Sequence, residues 1–165
     1  MTGTGTRRRS VSRTLVLVLP LLAATTVGAT PTMAADHQLR GVWIRSELNN
    51  RCLDAGSGAN GANAEVWDCW NGAKQRWYWD GKHIRSDRDN KCLDAGSGIN
   101  GSPAEVWDCW DGAKQRWYWD GAHLRSELNN RCLDAGGDAN GTPAEVWDCW
   151  NGAKQRWYEQ HPLFR

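Results

Sequence analysis

The sequence of 165 residues is informative first through what it lacks. None of its repeating segments carries apolar residues at helical spacing, which argues against a helical domain. No Cys-x-x-Cys pair occurs, although such pairs are typical of zinc modules. Lysine and arginine form no cluster beyond Arg13, so the basic surface of a nucleic-acid-binding protein is missing. These absences favour a domain built from strands and turns.

The first 34 residues differ in composition from the rest of the chain. A basic head, RRRSVSR, precedes the apolar run TLVLVLPLLAATTVGA, and small residues before Ala35 form an acceptable cleavage site. This is the layout of a secretory signal peptide. The apolar run is short for a membrane span and is interrupted by Pro20. We therefore expect a signal peptide at residues 1–34, a mature domain at residues 35–165 and secretion to the extracellular space.

Removal of the signal peptide would leave 131 residues, which is enough for one compact domain and too few for two. Four of the 20 basic residues and none of the 19 acidic residues lie in the first 34, so the mature chain would carry a net charge of −3. A slightly acidic protein is a poor candidate for nucleic acid or for an anionic membrane surface. We expect neither a nucleic-acid partner nor insertion into a membrane.

One block of the sequence occurs three times. AEVWDCWNGAKQRWY begins at Ala64, returns with one Asn→Asp change at Ala104, and returns unchanged at Ala144. A fixed period of this length indicates a repeat architecture. The units span about residues 39–80, 81–120 and 121–160, and the second and third are identical at 27 of 40 positions.

Each unit consists of short β-rich runs separated by turn signals. In the second unit the runs are HIRS, KCLDA, AEVWDCW and QRWYW. The Asn-Gly and Asp-Gly pairs between such runs tolerate the positive φ of tight turns. Four strands in each of three units predict an all-β domain of twelve strands with pseudo-threefold symmetry. A closed arrangement is favoured because it leaves no exposed strand edges.

All six cysteines lie in the repeats, in pairs that are 17 residues apart and recur every 40 residues. An even number of cysteines in an exported chain indicates disulfides. The threefold repeat favours pairing within each unit, which would join Cys52 to Cys69, Cys92 to Cys109, and Cys132 to Cys149. Zinc is the alternative, but His83 and His123 have no counterpart in the first unit, where Trp43 stands. We expect no metal and no cofactor.

Alternation along the strands predicts which side chains share a surface. If Leu53 and Val66 point into the core, the two cysteines of the unit meet on the outer side together with Asp54, Glu65 and Trp67. An exposed indole offers a flat apolar face to the C–H side of a pyranose, and a carboxylate accepts hydroxyl protons. Each unit would therefore present a carbohydrate-binding patch.

Several of these residues have other interpretations. Trp77 is expected to pack in the core, whereas Trp70, on the face opposite Trp67, could belong to the core or to the surface. Asp54 could cap a turn. The pair Asp54 and Glu65 could also suggest a glycosidase. Three equivalent copies lack the single asymmetric constellation that catalysis needs, so we expect no enzyme activity and no catalytic residue.

Three motifs in register carry a family resemblance: Cys-Leu-Asp, an aromatic residue two before the second cysteine, and Gln-x-Trp six residues after that cysteine. They resemble the ricin B-chain type of lectin repeat, also found in family-thirteen carbohydrate-binding modules, over about Leu39 to Tyr158. The resemblance implies a β-trefoil, a six-stranded barrel closed by three hairpins, with one potential sugar pocket per unit. It also implies that the Gln-x-Trp tryptophans, Trp77, Trp117 and Trp157, pack in the core.

The resemblance further implies which residues build the pockets. They are Asp54, Glu65, Trp67, Lys74 and Gln75 in the first unit; Asp94, Glu105, Trp107, Lys114 and Gln115 in the second; and Asp134, Glu145, Trp147, Lys154 and Gln155 in the third. In the family the lysine is an asparagine and the glutamate is a glutamine. The charged pair could close the pocket as a salt bridge, the lysine could donate to sugar hydroxyls, or it could bind an acidic sugar.

These features together predict a secreted, monomeric and non-catalytic lectin with several sites. Its partners would be glycans or polysaccharides that carry a galactoside, a xylan-like chain or an acidic sugar. Pockets closed by their charged pairs would instead leave a trefoil scaffold for protein interaction or inhibition, and this is the alternative function.

Overall fold

The computed structural model describes residues 1–3 and 41–162. Apart from its first three residues, the expected signal peptide at residues 1–34 lies outside this part of the chain, so it stays a prediction. Within the described part, regular structure consists of fifteen short strands and three single-turn 3₁₀ helices. No helix in these residues is long and apolar enough to cross a membrane.

Each unit contributes five strands and one 3₁₀ helix. The first unit contains β1 (Trp43–Ser46), β2 (Cys52–Asp54), β3 (Ala62–Asn63), β4 (Glu65–Trp67), a 3₁₀ helix (Ala73–Gln75) and β5 (Trp77–Asp80). The second contains β6 (His83–Ser86), β7 (Cys92–Asp94), β8 (Ser102–Pro103), β9 (Glu105–Trp107), a 3₁₀ helix (Ala113–Gln115) and β10 (Trp117–Asp120). The third contains β11 (His123–Ser126), β12 (Cys132–Asp134), β13 (Thr142–Pro143), β14 (Glu145–Trp147), a 3₁₀ helix (Ala153–Gln155) and β15 (Trp157–Gln160).

The prediction of twelve strands missed one strand per unit. The additional strands β3, β8 and β13 are two residues long and follow the Asn-Gly turns. The run AEVWDCW was also predicted too long, because only its Glu-Val-Trp part is a strand. The chain leaves the sheet before the second cysteine of each unit.

Three antiparallel sheets form the fold, and each joins three strands of one unit to two strands of the preceding unit. Their strand orders are β13-β4-β2-β1-β15, β3-β9-β7-β6-β5 and β8-β14-β12-β11-β10. The third unit precedes the first in this cycle, because β1 pairs with β15 from Trp43 opposite Gln160 to Ser46 opposite Trp157. The arrangement is the expected pseudo-threefold β-trefoil, and this prediction is confirmed.

The turns between units match their sequence signals. Asp80 pairs with His83 across a two-residue turn, and Gly81 adopts φ 62° at its first position. Gly121 adopts φ 61° at the equivalent turn of the next unit. A positive φ at this position suits the twist of a tight hairpin and is accessible to glycine at little cost.

The core has the same threefold character. Its largest fully buried side chains are the tryptophans of the Gln-x-Trp motifs, Trp77, Trp117 and Trp157. Each indole N–H donates a 2.9 Å hydrogen bond to the carbonyl oxygen of a leucine, respectively Leu53, Leu93 and Leu133. A buried donor without a partner would be costly, so this bond lets a large aromatic side chain enter the core. The predicted core position of these tryptophans is confirmed.

Each unit contains one disulfide. In the first unit it joins β2 to the loop that follows β4, and the other two units repeat this connection. The bridges are Cys52–Cys69, Cys92–Cys109 and Cys132–Cys149. The predicted pairing within units is thus confirmed, and no thiolate is left for zinc. By constraining the unfolded chain, a bridge of 17 residues contributes roughly 3 kcal/mol.

The buried indoles should dominate the stability of the domain. We expect Trp117→Ala to lower the free energy of unfolding by about 3–5 kcal/mol, because it leaves a cavity and removes the donor to Leu93. Denaturant unfolding of the oxidised protein measures this change. The exposed Trp110 provides the matched control, and Trp110→Ala should change the free energy by less than about 1 kcal/mol. Equal losses in the two variants would contradict this account of the core.

Candidate functional site

The predicted pocket residues converge where two strands of each unit run side by side. In the first unit Cys52 pairs with Trp67, and Asp54 pairs with Glu65, across β2 and β4. The same register recurs in the other two units. Leu53 and Val66, which alternate with these residues, are fully buried in the core, so the sequence prediction of two faces holds for these strands.

A cavity of about 480 Å³ opens over this strand pair in the first unit. Its walls are Asp54, Gly56, Ser57, Glu65, Trp67, Trp70 and Lys74. The volume falls within the range of roughly 300–1,000 Å³ that is typical of small-molecule sites. The cavity therefore brings the predicted carboxylates, the indole and the lysine around one space.

The aspartate of Cys-Leu-Asp caps a turn and also lines the pocket. Asp54 is only 5% exposed, and one of its carboxylate oxygens accepts the N–H of Gly56 at 2.9 Å. Asp94 and Asp134 make the same bond in their units. Gly56 is required here, since it adopts φ 56° and a Cβ would lie 2.4 Å from the carbonyl oxygen of Asn63. The turn holds the carboxylate in place before any ligand arrives.

The glutamate beside this aspartate is in an unfavourable electrostatic position. Burial raises the pKa of Glu65, and the negative charge of Asp54 raises it further, while Lys74 acts in the opposite direction. In the other two units the glutamates accept the indole N–H of their tryptophans, Trp107 to Glu105 at 2.7 Å and Trp147 to Glu145 at 2.8 Å. Each pocket thus contains two adjacent carboxylates.

The pocket indoles rest on a turn from another unit. Trp67, Trp107 and Trp147 are each 40% exposed. A Cβ on Gly141 would lie 3.2 Å from the ring of Trp67, and Gly61 and Gly101 stand equally close to the other two rings. Trp67 faces Gly141 with the Cζ3 edge of its ring, whereas Trp107 and Trp147 face their glycines with the Cζ2 edge. The indole of the first unit is therefore turned over relative to its counterparts.

The glutamine of Gln-x-Trp lies behind the pocket. The side chain of Gln75 is fully buried, accepts the N–H of Trp70 at 2.8 Å and donates to the carbonyl oxygen of Asp68 at 3.1 Å. Gln115 and Gln155 bond their loops in the same way. In this arrangement the glutamines position the pocket loop, and no surface of theirs is open to a ligand.

The pocket lysines do not pair with the pocket glutamates. Lys74 lines the cavity, and Lys154 donates to the carbonyl oxygen of Gly136 at 2.6 Å. Among residues 41–162, no ion pair joins a pocket lysine to the glutamate of its own unit. The salt bridge that the sequence allowed is therefore not formed.

Comparison with known proteins identifies this architecture. Residues 40–161 match the model of the family described as ricin-type beta-trefoil lectin domain. The chain belongs to this family. Similar solved structures of the ricin-type fold include the C-half of an earthworm R-type lectin in complex with GalNAc, at 24% identity and a TM-score of 0.64, over 73% of this chain and 98% of that one.

Two further structures resemble this ricin-type trefoil. The β-trefoil lectin of the Vibrio vulnificus hemolysin/cytolysin, with N-acetyl-D-lactosamine bound, is 25% identical with a TM-score of 0.63, and the match covers 74% of this chain and 94% of that one. The designed threefold-symmetric protein ThreeFoil is 17% identical with a TM-score of 0.63, over 72% and 96% of the two chains. The similar structures are mainly lectins.

One tryptophan per unit of this ricin-type domain was placed wrongly by strand alternation. The sequence put Trp70 on the face opposite Trp67, but β4 ends at Trp67 and the chain turns before Trp70. Trp70 consequently lines the same cavity as Trp67. The Gly residue two positions after each such tryptophan was the available signal for a tight turn.

A clamp between units was also missed by sequence reasoning. The side chain of Asn140 donates to the carboxylate of Asp68 and accepts its backbone N–H, both at 2.8 Å, and Arg51 donates to the same carboxylate at 3.0 Å. Asn60 with Asp108 and Asn100 with Asp148 repeat the arrangement. Since Asn140 precedes Gly141 in the turn beneath Trp67, the clamp fixes the neighbouring turn against the pocket of this lectin-type unit.

The clamp predicts a specific pH dependence of stability. Hydrogen bonds from Asn140 and then Arg51 lower the pKa of Asp68 below 3.8, and equivalent bonds lower the pKa of Asp108 and Asp148. A lowered carboxyl pKa stabilises the fold above the unfolded-state value, and this contribution is lost as the pH falls through the folded-state value. The triple variant Asp68/Asp108/Asp148→Asn should therefore unfold at a lower temperature than the parent at pH 7.

The difference between parent and variant should shrink as the pH falls below 3.8, where the carboxyl groups of the parent become protonated. Thermal unfolding midpoints at neutral and acidic pH measure it. Asp138→Asn, at an exposed loop position, is the matched control and should follow the parent at every pH. A gap that stays constant across the range would show that the charge of the clamp is not responsible.

Proposed function

We propose that this ricin-type trefoil is a secreted, non-catalytic lectin with three carbohydrate-binding sites. One observation carries the proposal: every unit places a nearly buried aspartate beside an indole that is 40% exposed. Packing of the core does not require an exposed indole next to a fixed carboxylate. A sugar uses both, because its C–H face stacks on the ring while its hydroxyls donate to the carboxylate.

Within the first pocket the roles follow from the geometry. Asp54 keeps one oxygen on the N–H of Gly56, and among the described residues no hydrogen bond reaches its other oxygen, which can accept from a sugar hydroxyl. Trp67 supplies the stacking face, and Lys74 supplies a donor at the rim. In the first pocket no hydrogen bond to Asp54 has to be broken before the sugar binds, so little reorganisation is needed. In the second pocket the other oxygen of Asp94 already accepts from Gln115 at 3.1 Å.

The charge of the pocket supports a neutral sugar. Asp54 and Glu65 contribute two negative charges against one positive charge from Lys74. A uronate or sialate would meet net repulsion, whereas the hydroxyls of a neutral galactoside or xylan-like chain donate to both carboxylates. The acidic-sugar hypothesis rested on the lysine alone, and the adjacent carboxylates weaken it.

Three weak sites on one domain serve a multivalent ligand. Simultaneous binding to a polysaccharide or a glycan-coated surface raises the overall affinity by roughly 10²–10⁴-fold, provided that the ligand spans the sites. Secretion is supported by the signal-like residues 1–34 and by the three disulfides, which persist in oxidising compartments. The scaffold alternative requires pockets closed by ion pairs between lysine and glutamate, and no such pair is formed within a unit among residues 41–162.

The decisive experiment is a glycan panel on the oxidised mature protein. It includes galactosides, xylan, arabinogalactan, mannan and acidic sugars. The variant Asp54/Asp94/Asp134→Asn removes the charge but keeps an oxygen that can accept the turn N–H. We expect the parent to bind a neutral glycan and the folded variant to lose at least about tenfold in affinity.

Asp138→Asn serves as the matched control for this panel, because it removes an exposed loop carboxylate that is not among the predicted pocket residues. It should bind like the parent. An unchanged affinity of the pocket variant would contradict the lectin proposal with these pockets. A parent that binds no glycan and instead retains a protein partner would contradict it as well. Release of reducing sugar by the parent would contradict its non-catalytic part.

Binding should weaken in mild acid. Burial raises the pKa of Asp94 above 3.8 although the hydrogen bond from Gln115 opposes the shift, and burial together with Asp54 raises the pKa of Glu65 above 4.5. Only the ionised carboxylates accept hydroxyl protons with both oxygens. Affinity should therefore start to fall while the pH is still above 4.5 and should recover on neutralisation.

The variant Glu65/Glu105/Glu145→Gln distinguishes the contribution of the glutamates to this pH dependence from that of the aspartates. The loss of affinity should move to lower pH, because Glu65 with its raised pKa is gone and the charge of Glu105 no longer raises the pKa of Asp94. Affinities from neutral pH down to 3.8 measure the effect. A parent affinity that stays constant over this range would rule out carboxylates as the hydrogen-bond acceptors.

A further inference from the structure

A second indole faces the pocket of the first unit, and the roles of Asp54, Trp67 and Lys74 leave it unused. Trp70, Trp110 and Trp150 are 50%, 53% and 53% exposed, more than the tryptophans assigned to sugar stacking. Trp70 lines the same cavity as Asp54, Glu65 and Trp67. The identical position is tryptophan in all three units. The first pocket is thus bounded by two aromatic side chains rather than one.

The second indole is held by a contact that only glycine permits. The six-membered ring of Trp70 lies against Gly72, where a Cβ would come within 2.0 Å of a ring carbon. Gly112 and Gly152 are covered in the same way, with distances of 1.8 Å. Gly72 has φ −99° and ψ 154°, an extended conformation open to any residue. The glycine is therefore needed for the ring and not for the backbone.

The backbone around this indole is equally constrained. The N–H of Trp70 donates to the buried side chain of Gln75, and its carbonyl oxygen accepts the N–H of Gly72, both at 2.8 Å. The preceding residue, Cys69, is bridged to the pocket strand through Cys52. One face of the ring is thus fixed on glycine while much of the ring stays exposed. A preorganised aromatic surface of this kind binds with a small entropic cost.

Core packing does not account for this residue. A tryptophan that leaves half of its surface in water buries far less apolar area than Trp77, which is fully enclosed. Large exposed aromatic side chains that recur beside a cavity mark binding surfaces. The polar groups of the pocket lie around the same space, and hydroxyl-rich ligands with apolar C–H faces suit such a mixed lining.

We propose that Trp70, Trp110 and Trp150 form a second subsite in each pocket, so that one unit binds two consecutive pyranose residues of an oligosaccharide. The first pyranose binds at the Asp54 and Trp67 side of the cavity, and the second stacks on Trp70. This inference rests on the lectin function proposed above. It assigns each site to a chain of sugars rather than to a single terminal residue.

The test compares a monosaccharide with its longer form on the oxidised mature protein. The probes are galactose against lactose, and xylose against xylotriose, titrated calorimetrically. The parent should bind the longer member of one pair about tenfold more tightly than the shorter one. In the variant Trp70/Trp110/Trp150→Ala this preference should vanish, while the affinity for the monosaccharide stays that of the parent.

Two further variants distinguish the loss of the second subsite from a general loss of structure. Gly72/Gly112/Gly152→Ala retains every tryptophan but displaces the rings, so it should lose the same preference if the placement of the ring is what matters. Trp67/Trp107/Trp147→Ala removes the first subsite and should weaken the short and the long ligand alike. Denaturant unfolding verifies that each variant is folded.

The outcomes separate the two proposals. Monosaccharide binding with equal affinity for the longer sugar, or equal losses for both sugars in the Trp70/Trp110/Trp150→Ala variant, overturns the second subsite and leaves the lectin function standing. A parent that binds none of the four probes and no glycan of the panel overturns both. A preference that persists in the folded alanine variant shows that the second pyranose is bound elsewhere.

Discussion

The hydrogen bond from each buried indole to a leucine carbonyl joins the core of this trefoil to its pockets. Trp77 donates to Leu53, which lies on the pocket strand between Cys52 and Asp54. The bond satisfies the buried N–H and at the same time fixes the strand that carries the aspartate. A side chain in the buried core thereby helps to fix the position of the nearly buried pocket carboxylate, and the disulfide of Cys52 holds the residue that precedes Leu53 in the same strand.

A single 40-residue unit cannot make this arrangement alone. Its sheet needs two strands from the preceding unit, and its pocket indole rests on a turn that the cycle brings from another unit. The pairing of β1 with β15 completes the cycle and gives the first unit the same neighbour as the others. Repetition therefore provides both a closed core and one candidate pocket in each unit.

Much of this could be predicted from the sequence because it depends on local signals in register. The cysteine spacing predicted the disulfide pairing, and the alternation of Leu53 with Asp54 predicted the two faces of the strand. The Gln-x-Trp motif predicted which tryptophans are buried in the core. Trp70 was misplaced because alternation holds only while a strand continues, and β4 stops at Trp67. The clamp between Asn140 and Asp68 could not be found, since it joins residues 72 apart whose proximity depends on closure of the barrel.

The clamp also has a consequence for how such a repeat can diverge. A substitution at Asn140 or Gly141 would disturb the ring of Trp67, so the defect would appear in a pocket encoded 70 or more residues upstream of the change. A change in this turn of one unit therefore alters the surroundings of the pocket indole in the next unit of the cycle. The residues that shape one pocket are thus encoded in two separate stretches of the chain.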